Sequence, residues 1–461
     1  MEIISLINNF IKDFNQKFLC NINPFTIESK IRDVGDNFTI NLYETFINYL
    51  DEKFKHSEYR KQNYRIKETR LRRIITSLGE INVNFTSYYS KVDNKRYVFL
   101  RDTLGLEPYQ RLSLEAEYQI TKYAMENNMS QAAKHALRNA VISRSTVSKK
   151  IKVLDGSIEE NIVRSTNQPK ILYIEMDEIH ANLQFGGNAN CPCAIVHEGY
   201  VEEFVKRKKL KNIHYFASSI LSYEELWEVI YDYVDKKYDI DKFDKIFISG
   251  DGASGIKNFD TCFPNAIYVF DHFHYMKKHM RYIFKNENEI KYIADEYIRN
   301  GLIDDFKKLV HLQIEKYPDQ EKEMIKHMNT ILNNIEGIKN QNLEDYKTHC
   351  SMEGHVSQAF ARHITSSPYG FSRQGLENKL KLLVYHANKV ELTIEDYYNL
   401  KYGKNSYIEI VKKIKNILNI KRDIKLIKNY TTDYEVQVCH PLFDSNKLTN
   451  QYRERTDMRP I

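Results

Sequence analysis

The sequence contains few cysteines, and they are not spaced as in a zinc-binding site. Its six cysteines are scattered along 461 residues, and none belongs to a Cys-X-X-Cys pair. A structural zinc site and a disulfide framework both need closely grouped or regularly spaced cysteines, so neither is expected. Scattered thiols are typical of a reduced protein of the cytoplasm.

Long apolar runs and the signatures of common enzyme classes are also missing. No stretch approaches the roughly 18 uncharged apolar residues that a membrane span requires. The first segment interrupts its apolar residues with Glu2, Lys12 and Asp13 and lacks the basic beginning of a signal peptide. There is no Gly-rich phosphate loop, Walker motif or Gly-X-Ser-X-Gly elbow. We therefore expect a cytoplasmic protein with no membrane partner.

The composition is that of an ordinary globular protein. Hydrophobic residues make up 42% of the chain and charged residues 28%, which supports a sizeable core and excludes a disordered chain. Lys and Arg number 68 against 62 Asp and Glu, so the net charge is only +6. This balance permits nucleic-acid binding without requiring it. The length allows two or three domains.

Residues 1–110 predict an α+β region that is a candidate for DNA binding. Helical patterns give way to Ile81, Val83 and Phe85, which alternate with polar residues as in a half-buried strand. The stretch from Arg60 to Arg73 is the most basic run of the chain. We interpret this run as a helix face, for which solvation and DNA contact are equally good explanations.

Residues 111–165 predict a helix-turn-helix module. The helical patterns LSLEAEYQITKYAMENN, MSQAAKHAL and ISRSTVSKKIKVL follow one another across short turns, with Ser130 and either Ser143 or Ser145 as expected N-caps. The last helix carries short hydroxyls and long cations, which suit the major groove of DNA. Its candidate DNA-binding residues are Arg144, Ser145, Ser148, Lys149 and Lys150. The alternative is a helical packing module that does not touch DNA.

From residue 166 the periodicity predicts an α/β core. Three strand patterns, the helix SYEELWEVIYDYVDKKY, the strand KIFISG, a short helix and the strand AIYVFDHFH follow in that order. This is the order of a ribonuclease-H-like fold, in which the first and fourth strands are neighbours. We expect the catalytic core in residues 166–274 and 350–400, with an all-α insertion at 275–349 between them. A Lys-rich helical region and tail should follow at 401–461.

Three acidic residues stand at the boundaries of these elements. Asp177 follows an apolar strand, where a charge is costly without a partner or a metal. Asp251 follows another strand between Gly250 and Gly252, and Glu353 opens a helical pattern after the insertion. Neighbouring strand ends would bring the two aspartates together, and such carboxylates need a cation, for which oxygen ligands select Mg²⁺ or Mn²⁺. The sequence therefore predicts that Asp177, Asp251 and Glu353 bind metal and catalyse phosphodiester displacement.

Histidines and a further aspartate near these elements are additional candidates. We predict that His180, Asp271 and His274 support the catalytic acids or contact substrate. A surface position or a structural hydrogen bond is the alternative for each. A zinc site built from His272, His274 and Cys350 is a less favoured interpretation.

The remaining polar residues of this region have weaker interpretations. Candidates for positioning DNA phosphates are Ser366, Ser367, Arg373 and Gln374. Glu175 and Asp260 are interpreted as ordinary surface or cap residues.

Three long segments of the chain resemble conserved blocks of a known family. They are IEMDEIHANLQ, ISGDGASGIKNFDTCFPNAIYVFDHFHYMKKH and CSMEGHVSQAFARHITSSPYGFSRQGLENKLKLLVYH, and the family is the ISLre-type transposases of bacterial insertion sequences. Its members are also grouped as an uncharacterised protein family, and are more distantly similar to mutator-like DDE transposases. The resemblance implies that Asp177, Asp251 and Glu353 are the catalytic triad. Asp271 and His274 match the D-x-x-H element of the mutator-like enzymes.

The resemblance also implies a reaction and its partners. The enzyme would cleave phosphodiesters at the ends of an insertion sequence and join the freed 3′-OH to target DNA, using Mg²⁺, for which Mn²⁺ can substitute. Its partners would be double-stranded DNA, as terminal inverted repeats and as target, and further copies of the chain in a homo-oligomer at the nucleoid. Alternatives are a ribonuclease-H-like nuclease or resolvase and a non-catalytic, transposase-derived DNA-binding protein. A two-carboxylate glycosidase is more distant, because no aromatic sugar platform accompanies the acids.

Overall fold

The chain folds into a mixed α/β protein in which helices surround two β-sheets. The structure, a computed structural model, describes residues 2–19, 23–152, 154, 162–201, 209–285, 287–365 and 370–403. Ser366, Ser367 and most of the predicted C-terminal region 401–461 lie outside these residues. No helix in the described part of the chain has the length and apolar character needed to cross a membrane.

The N-terminal region combines long helices with an antiparallel sheet. Its elements are α1 (Glu2–Leu19), α2 (Ile27–His56), α3 (Glu58–Asn63), β1 (Tyr64–Ile75), β2 (Glu80–Ser90), β3 (Arg96–Tyr97) and α4 (Phe99–Thr103). Ile81, Val83 and Phe85 are buried along β2, so the predicted half-buried strand is confirmed. Most of the basic run lies in β1, and its interpretation as a helix face was wrong. This segment is a strand because it pairs with β2 in a hairpin, and the charges of the segment itself do not indicate that pairing.

Helices α5 (Leu114–Glu126), α6 (Met129–His135) and α7 (Arg144–Lys152) follow, as the sequence predicts, and are called the trihelical region below. Ser143 caps α7, because its hydroxyl accepts a hydrogen bond of 3.1 Å from the backbone N–H of Thr146. The cap of α6 is Asn128 and not Ser130. Its side chain accepts from two backbone N–H groups, and Gln131 closes a capping box with it.

The second sheet forms the core of the protein. Its strands are β4 (Ile171–Asn182), β5 (Asn188–His197), β6 (His214–Ala217), β7 (Lys245–Gly250) and β8 (Ile267–Phe270). Their order across the sheet is β6-β5-β4-β7-β8, with antiparallel pairing among the first three in sequence and parallel pairing of β4 with β7 and of β7 with β8. The first and fourth strands of this sheet are therefore neighbours, as predicted.

Helices cover both faces of this sheet. On one face, α8 (Tyr223–Lys237) and α9 (Ser254–Lys257) accompany a cluster in which Trp227 and Ile230 are buried against Ile174 and Met176. On the other face, α15 (Met352–Val356) and α17 (Arg373–Ala387) pack against Ile179 and its neighbours. Short α16 (Arg362–Ile364) lies between these two helices in sequence, and α18 (Ile394–Tyr402) follows them.

The segment between β8 and α15 is helical, as predicted for the insertion. It contains a π-helical turn (His274–Met280), α10 (Arg281–Phe284), α11 (Asn288–Arg299), α12 (Ile303–Lys316), α13 (Glu321–Leu332) and α14 (Ile335–Asn340). The end of α14 lies against β8. Asn340 donates a 2.8 Å hydrogen bond to the carbonyl of Tyr268, and Gln341 donates one of 2.7 Å to the carbonyl of Phe270. The insertion therefore covers this edge of the sheet.

Three consecutive polar side chains of α17 are buried, and they bind separate parts of the chain. Glu377 accepts hydrogen bonds from Ser219, just after β6. Asn378 donates to the carbonyl of Ile151 near the end of α7, and Lys379 donates to two carbonyls at the end of α5. These contacts fasten the trihelical region to the helix that covers the core sheet.

Candidate metal centre

Asp177 and Asp251 lie at the same edge of the parallel β4–β7 pair. Asp251 directly follows β7, as predicted, but Asp177 is not at the end of its strand. The parallel pairing of β4 with β7 stops at Glu175 and Ser249, whereas the antiparallel pairing of β4 with β5 continues to Asn182. The prediction of a strand end at Asp177 was wrong because the hairpin partner that prolongs β4 leaves no mark on the local apolar pattern.

The side chains of Asp177, Asp251 and His274 converge at this edge. Each offers one potential ligand atom, and these atoms all lie within 4.8 Å of one another. All three residues are half-buried. The predicted meeting of the two aspartates is therefore confirmed, and His274, at the start of the π-helical turn after β8, joins them.

The surroundings of Asp177 work against its ionised form. Burial raises the pKa of Asp177, and the negative charges of Asp251 and Asp271 raise it further. A hydrogen bond of 2.8 Å from the backbone N–H of Glu178 and the positive charge of His274 oppose this rise only in part. A cation bound at this edge would relieve the repulsion between the carboxylates.

Asp271 holds His274 in place. His274 Nδ1 lies 2.6 Å from Asp271 Oδ2, and Asp271 is itself buried and donates its backbone N–H to the carbonyl of Gly250. Burial alone would lower the pKa of His274, but the hydrogen bond to Asp271 and the charges of Asp271 and Asp177 raise it overall. Because Nδ1 is committed to Asp271, Nε2 is the nitrogen left for a ligand, an arrangement common among metal-binding histidines.

The structure does not bring Glu353 into this cluster. Within the described residues, the group of converging ligand atoms contains the two aspartates and His274, and the side chain of Glu353 is exposed. Glu353 lies in the first turn of α15, as predicted. The helix itself packs on β4, where Met352 is buried beside Ile179 and Ala181.

His180 and His272 have other contacts than those of the cluster. Side chains alternate along β4, so His180 shares a face with Glu178, whose carboxylate accepts a hydrogen bond from Tyr223 at the start of α8. His180 is exposed, and its Nδ1 lies 3.0 Å from the side-chain oxygen of Asn190. His272 contacts Gln341. Among the described residues, the one group with metal-binding geometry does not combine His272, His274 and Cys350 as a zinc site would.

Glu175 is a buried residue beside the site, and the sequence interpretation missed its position. Only 1% of it is exposed, so its assignment to the surface was wrong. Its Oε2 accepts hydrogen bonds from the backbone N–H of Ser351 at 2.7 Å and from the Ser351 hydroxyl at 3.1 Å, and its Oε1 lies 3.1 Å from His197 Nε2. Glu175 shares a face with Asp177, and Ser351 precedes Glu353 by two residues. The contact therefore joins β4, which carries Asp177, to the start of α15, which carries Glu353. Side-chain alternation along β4 predicts a buried position for Glu175.

The predicted DNA-binding residues of α7 divide into two groups. Arg144, Ser145 and Lys149 are exposed, whereas Ser148 and Lys150 are half-buried. Lys150 forms an ion pair with Glu117, a carboxylate that is completely buried. Other groups bound to this carboxylate include the Tyr397 hydroxyl and the Lys401 ammonium group of α18. Lys150 thus contributes to the interior packing of the trihelical region.

Of the downstream candidates, Arg373 and Gln374 are exposed in the first turn of α17. Gln374 donates a hydrogen bond of 3.0 Å to the side chain of Asn378. Both side chains are accessible to a ligand at the N-terminal end of this helix.

Comparison with known proteins identifies relatives over nearly the whole chain. Two UPF0236 proteins of Caldanaerobacter subterraneus subsp. tengcongensis are each 28% identical to it, one over 441 residues and the other over 438. In both cases the match covers 94% of this chain and 91% of the relative. The model of the uncharacterised protein family UPF0236 matches residues 22–397. The chain therefore belongs to the family UPF0236.

Proposed function

We propose that this protein is a DDE-type transposase of the ISLre type, which cleaves the ends of an insertion sequence and joins them to target DNA. The observation that carries the proposal is the convergence of Asp177, Asp251 and His274 at one edge of the parallel β4–β7 pair. Clustered carboxylates at a sheet edge favour a divalent cation, and phosphoryl transfer is the chemistry that such a site serves best.

The topology of the core sheet supports the same proposal. Numbered within the sheet, its strands lie in the order 3-2-1-4-5, with the first three antiparallel and the last two parallel to the first. This is the arrangement expected of a ribonuclease-H-like core. The helices between β8 and α15 correspond to the insertion that mutator-like enzymes carry before their final glutamate.

The residues at the site fit Mg²⁺ or Mn²⁺. Asp177 and Asp251 supply the oxygen ligands that both ions prefer, and the imidazole of His274 suits Mn²⁺ better than Mg²⁺. Glu353 is proposed as a third carboxylate, from the helix that packs on β4. A divalent cation, when bound, activates an attacking oxygen and neutralises the charge that develops at phosphorus.

The proposed reaction needs no nucleophile from the protein. In cleavage, a water oxygen bonds to phosphorus while the bond to the 3′ oxygen breaks, and the water proton leaves the site as the 3′-OH forms. In joining, that 3′-OH loses its proton and its oxygen bonds to a phosphorus of the target. The bond from this phosphorus to the target's own 3′ oxygen breaks, and that oxygen takes up a proton and leaves as a new 3′-OH. The protein's task is positioning and charge neutralisation. Asp271 contributes by fixing the ring of His274.

DNA and further copies of the chain are the proposed partners. Arg144, Ser145 and Lys149 are exposed on α7, which supports its docking in a major groove as the second part of a helix-turn-helix. Ile4 and Ile7 are exposed on α1 and, with Ile11, recur at spacings of three and four residues. That heptad-like pattern is typical of a helix that pairs with another helix, and it supports a homo-oligomer on DNA.

The test is metal-dependent cleavage and joining of DNA that carries the element's own ends. Asp177→Asn and Asp251→Asn should each abolish both reactions in Mg²⁺ and Mn²⁺ while leaving binding of the ends intact. Asp260→Asn is the matched control, because Asp260 is an exposed aspartate near Asp251 in sequence, outside the cluster. Wild-type activity of either cluster variant, or full activity in EDTA, would contradict the proposal.

Two further variants distinguish between candidate ligand sets. If Glu353→Gln abolishes the reaction and His274→Ala only slows it, the third essential ligand is the glutamate. The reverse result would make the site an Asp-Asp-His centre. A wild-type protein that cleaves the ends but never joins them would be a nuclease or resolvase, and the transposase proposal would be wrong.

A further inference from the structure

A groove lined by arginines lies on the N-terminal sheet, in a part of the chain that the proposed metal centre does not use. Its volume is about 350 Å³, and the residues that define it, called the arginine groove below, are Arg70, Arg72, Arg96, Arg101, Phe85 and Tyr109. Its floor follows from the register of β1 and β2. Arg70 pairs with Phe85, and Arg72 with Val83, so both guanidinium groups share the face that carries the buried residues of β2.

Positive charge exceeds negative charge in the arginine groove. Glu68 forms ion pairs with both Arg70 and Arg96, and Asp102 with Arg101. Arg72 has no carboxylate partner among the described residues. Its guanidinium lies over the ring of Phe85, 4.9 Å from the centroid, and donates to the carbonyl of Gln110 at 3.2 Å.

The surroundings of Arg72 show that the like charges are close. Burial lowers the pKa of Arg72, and the positive charges of Arg101 and Arg111 lower it further. Half-buried guanidinium groups that repel one another are stabilised by an anion between them. Planar guanidinium groups match the oxygens of a phosphate in particular, because they donate paired hydrogen bonds.

Tyr109 places an aromatic ring at the edge of the same groove. Its side chain is 93% exposed, and its backbone φ is +66°, which residues other than glycine rarely adopt. Such strain clusters at ligand sites, where the surrounding structure holds it in place. An exposed ring beside cations is the combination that binds unpaired nucleotides, since the base stacks on the ring and the phosphate meets the cations.

We propose that the arginine groove binds a single strand of DNA, with backbone phosphates on Arg72 and Arg101 and an unpaired base stacked on Tyr109. The size of the groove favours one strand over a duplex. The inference rests on the proposed function, since cleavage at an element end exposes a strand that the protein must hold. It concerns the N-terminal sheet, at residues remote in sequence from Asp177 and Asp251.

The test is fluorescence anisotropy of a labelled oligothymidylate with the full chain, in EDTA and at several salt concentrations. Arg72→Gln and Arg101→Gln should each weaken binding about tenfold and reduce the log–log salt slope by about 0.7, the value for one lost phosphate contact on a single strand. Tyr109→Ala should weaken binding about five- to a hundredfold with an unchanged salt slope, because it removes the stacking of a base but removes no charge. Each groove variant must unfold at the same midpoint as the wild type, so that weaker binding is not a result of misfolding. Tyr109→Ala is expected to meet this condition because the Tyr109 side chain is exposed.

Matched controls are Arg281→Gln and Tyr292→Ala, which alter exposed residues of the helical insertion. They should bind the oligonucleotide as the wild type does. Groove variants that bind no worse than these controls would overturn the inference. Groove variants that lose affinity for a duplex of the same sequence as strongly as for the single strand would overturn it too. Loss of groove binding does not depend on the metal centre. A wild type that binds the single strand through this groove but never cleaves would overturn the proposed function and leave the groove standing.

Discussion

Replacing Glu175 with glutamine should lower the free energy of unfolding by about 2–4 kcal/mol, because each hydrogen bond to a buried carboxylate contributes about 1.5–3 kcal/mol. Glu175 accepts two such bonds from Ser351 and one from His197. Glutamine keeps the shape of the side chain but has one acceptor oxygen in place of two. At least one of the present donors must therefore lose its partner.

The identity of the lost partner follows from His197. Its Nδ1 accepts a hydrogen bond of 3.1 Å from the backbone N–H of Gly199, so its Nε2 carries the proton that meets Glu175. In the variant, an amide oxygen turned toward Ser351 leaves the NH₂ group facing this N–H, and two donors then oppose each other. An unsatisfied buried donor costs about 1–3 kcal/mol, and the remaining bonds lose their charge.

Urea unfolding followed by circular dichroism measures this change. The matched control is Glu336→Gln, since the Glu336 side chain is 84% exposed and its carboxylate lies 3.5 Å from the Lys339 ammonium group. That control should change stability by less than about 0.5 kcal/mol. Ser351→Ala removes a single hydroxyl donor and should cost about 1 kcal/mol, and its effect should not add to that of Glu175→Gln because the residues are in contact. Equal unfolding midpoints for Glu175→Gln and Glu336→Gln would refute the reasoning.

Two further predictions concern a buried lysine and a strained glycine. Burial lowers the pKa of Lys379 from 10.5 to about 7, so between these values the unfolded chain holds a proton that the folded chain lacks. The free energy of unfolding should therefore rise with pH across this window, by up to about 1.4 kcal/mol per pH unit from this residue. Lys379→Met should remove this contribution, which urea unfolding at several pH values measures. An equal pH dependence of stability in the wild type and in Lys379→Met would contradict the prediction. Gly252 has a φ of +87°, and a Cβ there would lie 2.9 Å from Asn334 and Phe270, so Gly252→Ala should cost at least about 1–3 kcal/mol. Gly354→Ala, where a Cβ would meet nothing within 4 Å in α15, should instead stabilise by about 0.5–1 kcal/mol, and a similar cost in both variants would disprove the strain argument.

Much of the core could be predicted from the sequence because its signals are local. Runs of apolar and β-branched residues that follow the helical patterns mark β4 and β7, and the order of elements makes the two strands neighbours. Parallel neighbours end at the same edge of a sheet, so the meeting of Asp177 and Asp251 follows without knowledge of any side-chain contact. The helical character of the insertion was readable for the same reason.

The errors concern contacts between residues that are far apart in the chain. Glu175 binds Ser351, which is 176 positions away, and no pattern around either residue announces the pair. Lys150 stays a predicted DNA-binding residue, and the sequence does not reveal that it also forms an ion pair with the buried Glu117, 33 positions away. Periodicity relates only residues that are close in sequence, so it indicates neither Ser351 as the partner of Glu175 nor Glu117 as the partner of Lys150.

The hydrogen bonds from α17 to the trihelical region are accepted by main-chain carbonyl oxygens. Asn378 and Lys379 bind the carbonyls of Ile151, Ala124 and Asn127, and a carbonyl is present whatever side chain the residue carries. Substitutions on the outward surface of α7 therefore leave these hydrogen bonds intact, provided that the helix keeps its course. A chain with other side chains on the outward surface of α7 is thus able to keep the same hydrogen bonds between α17 and the trihelical region.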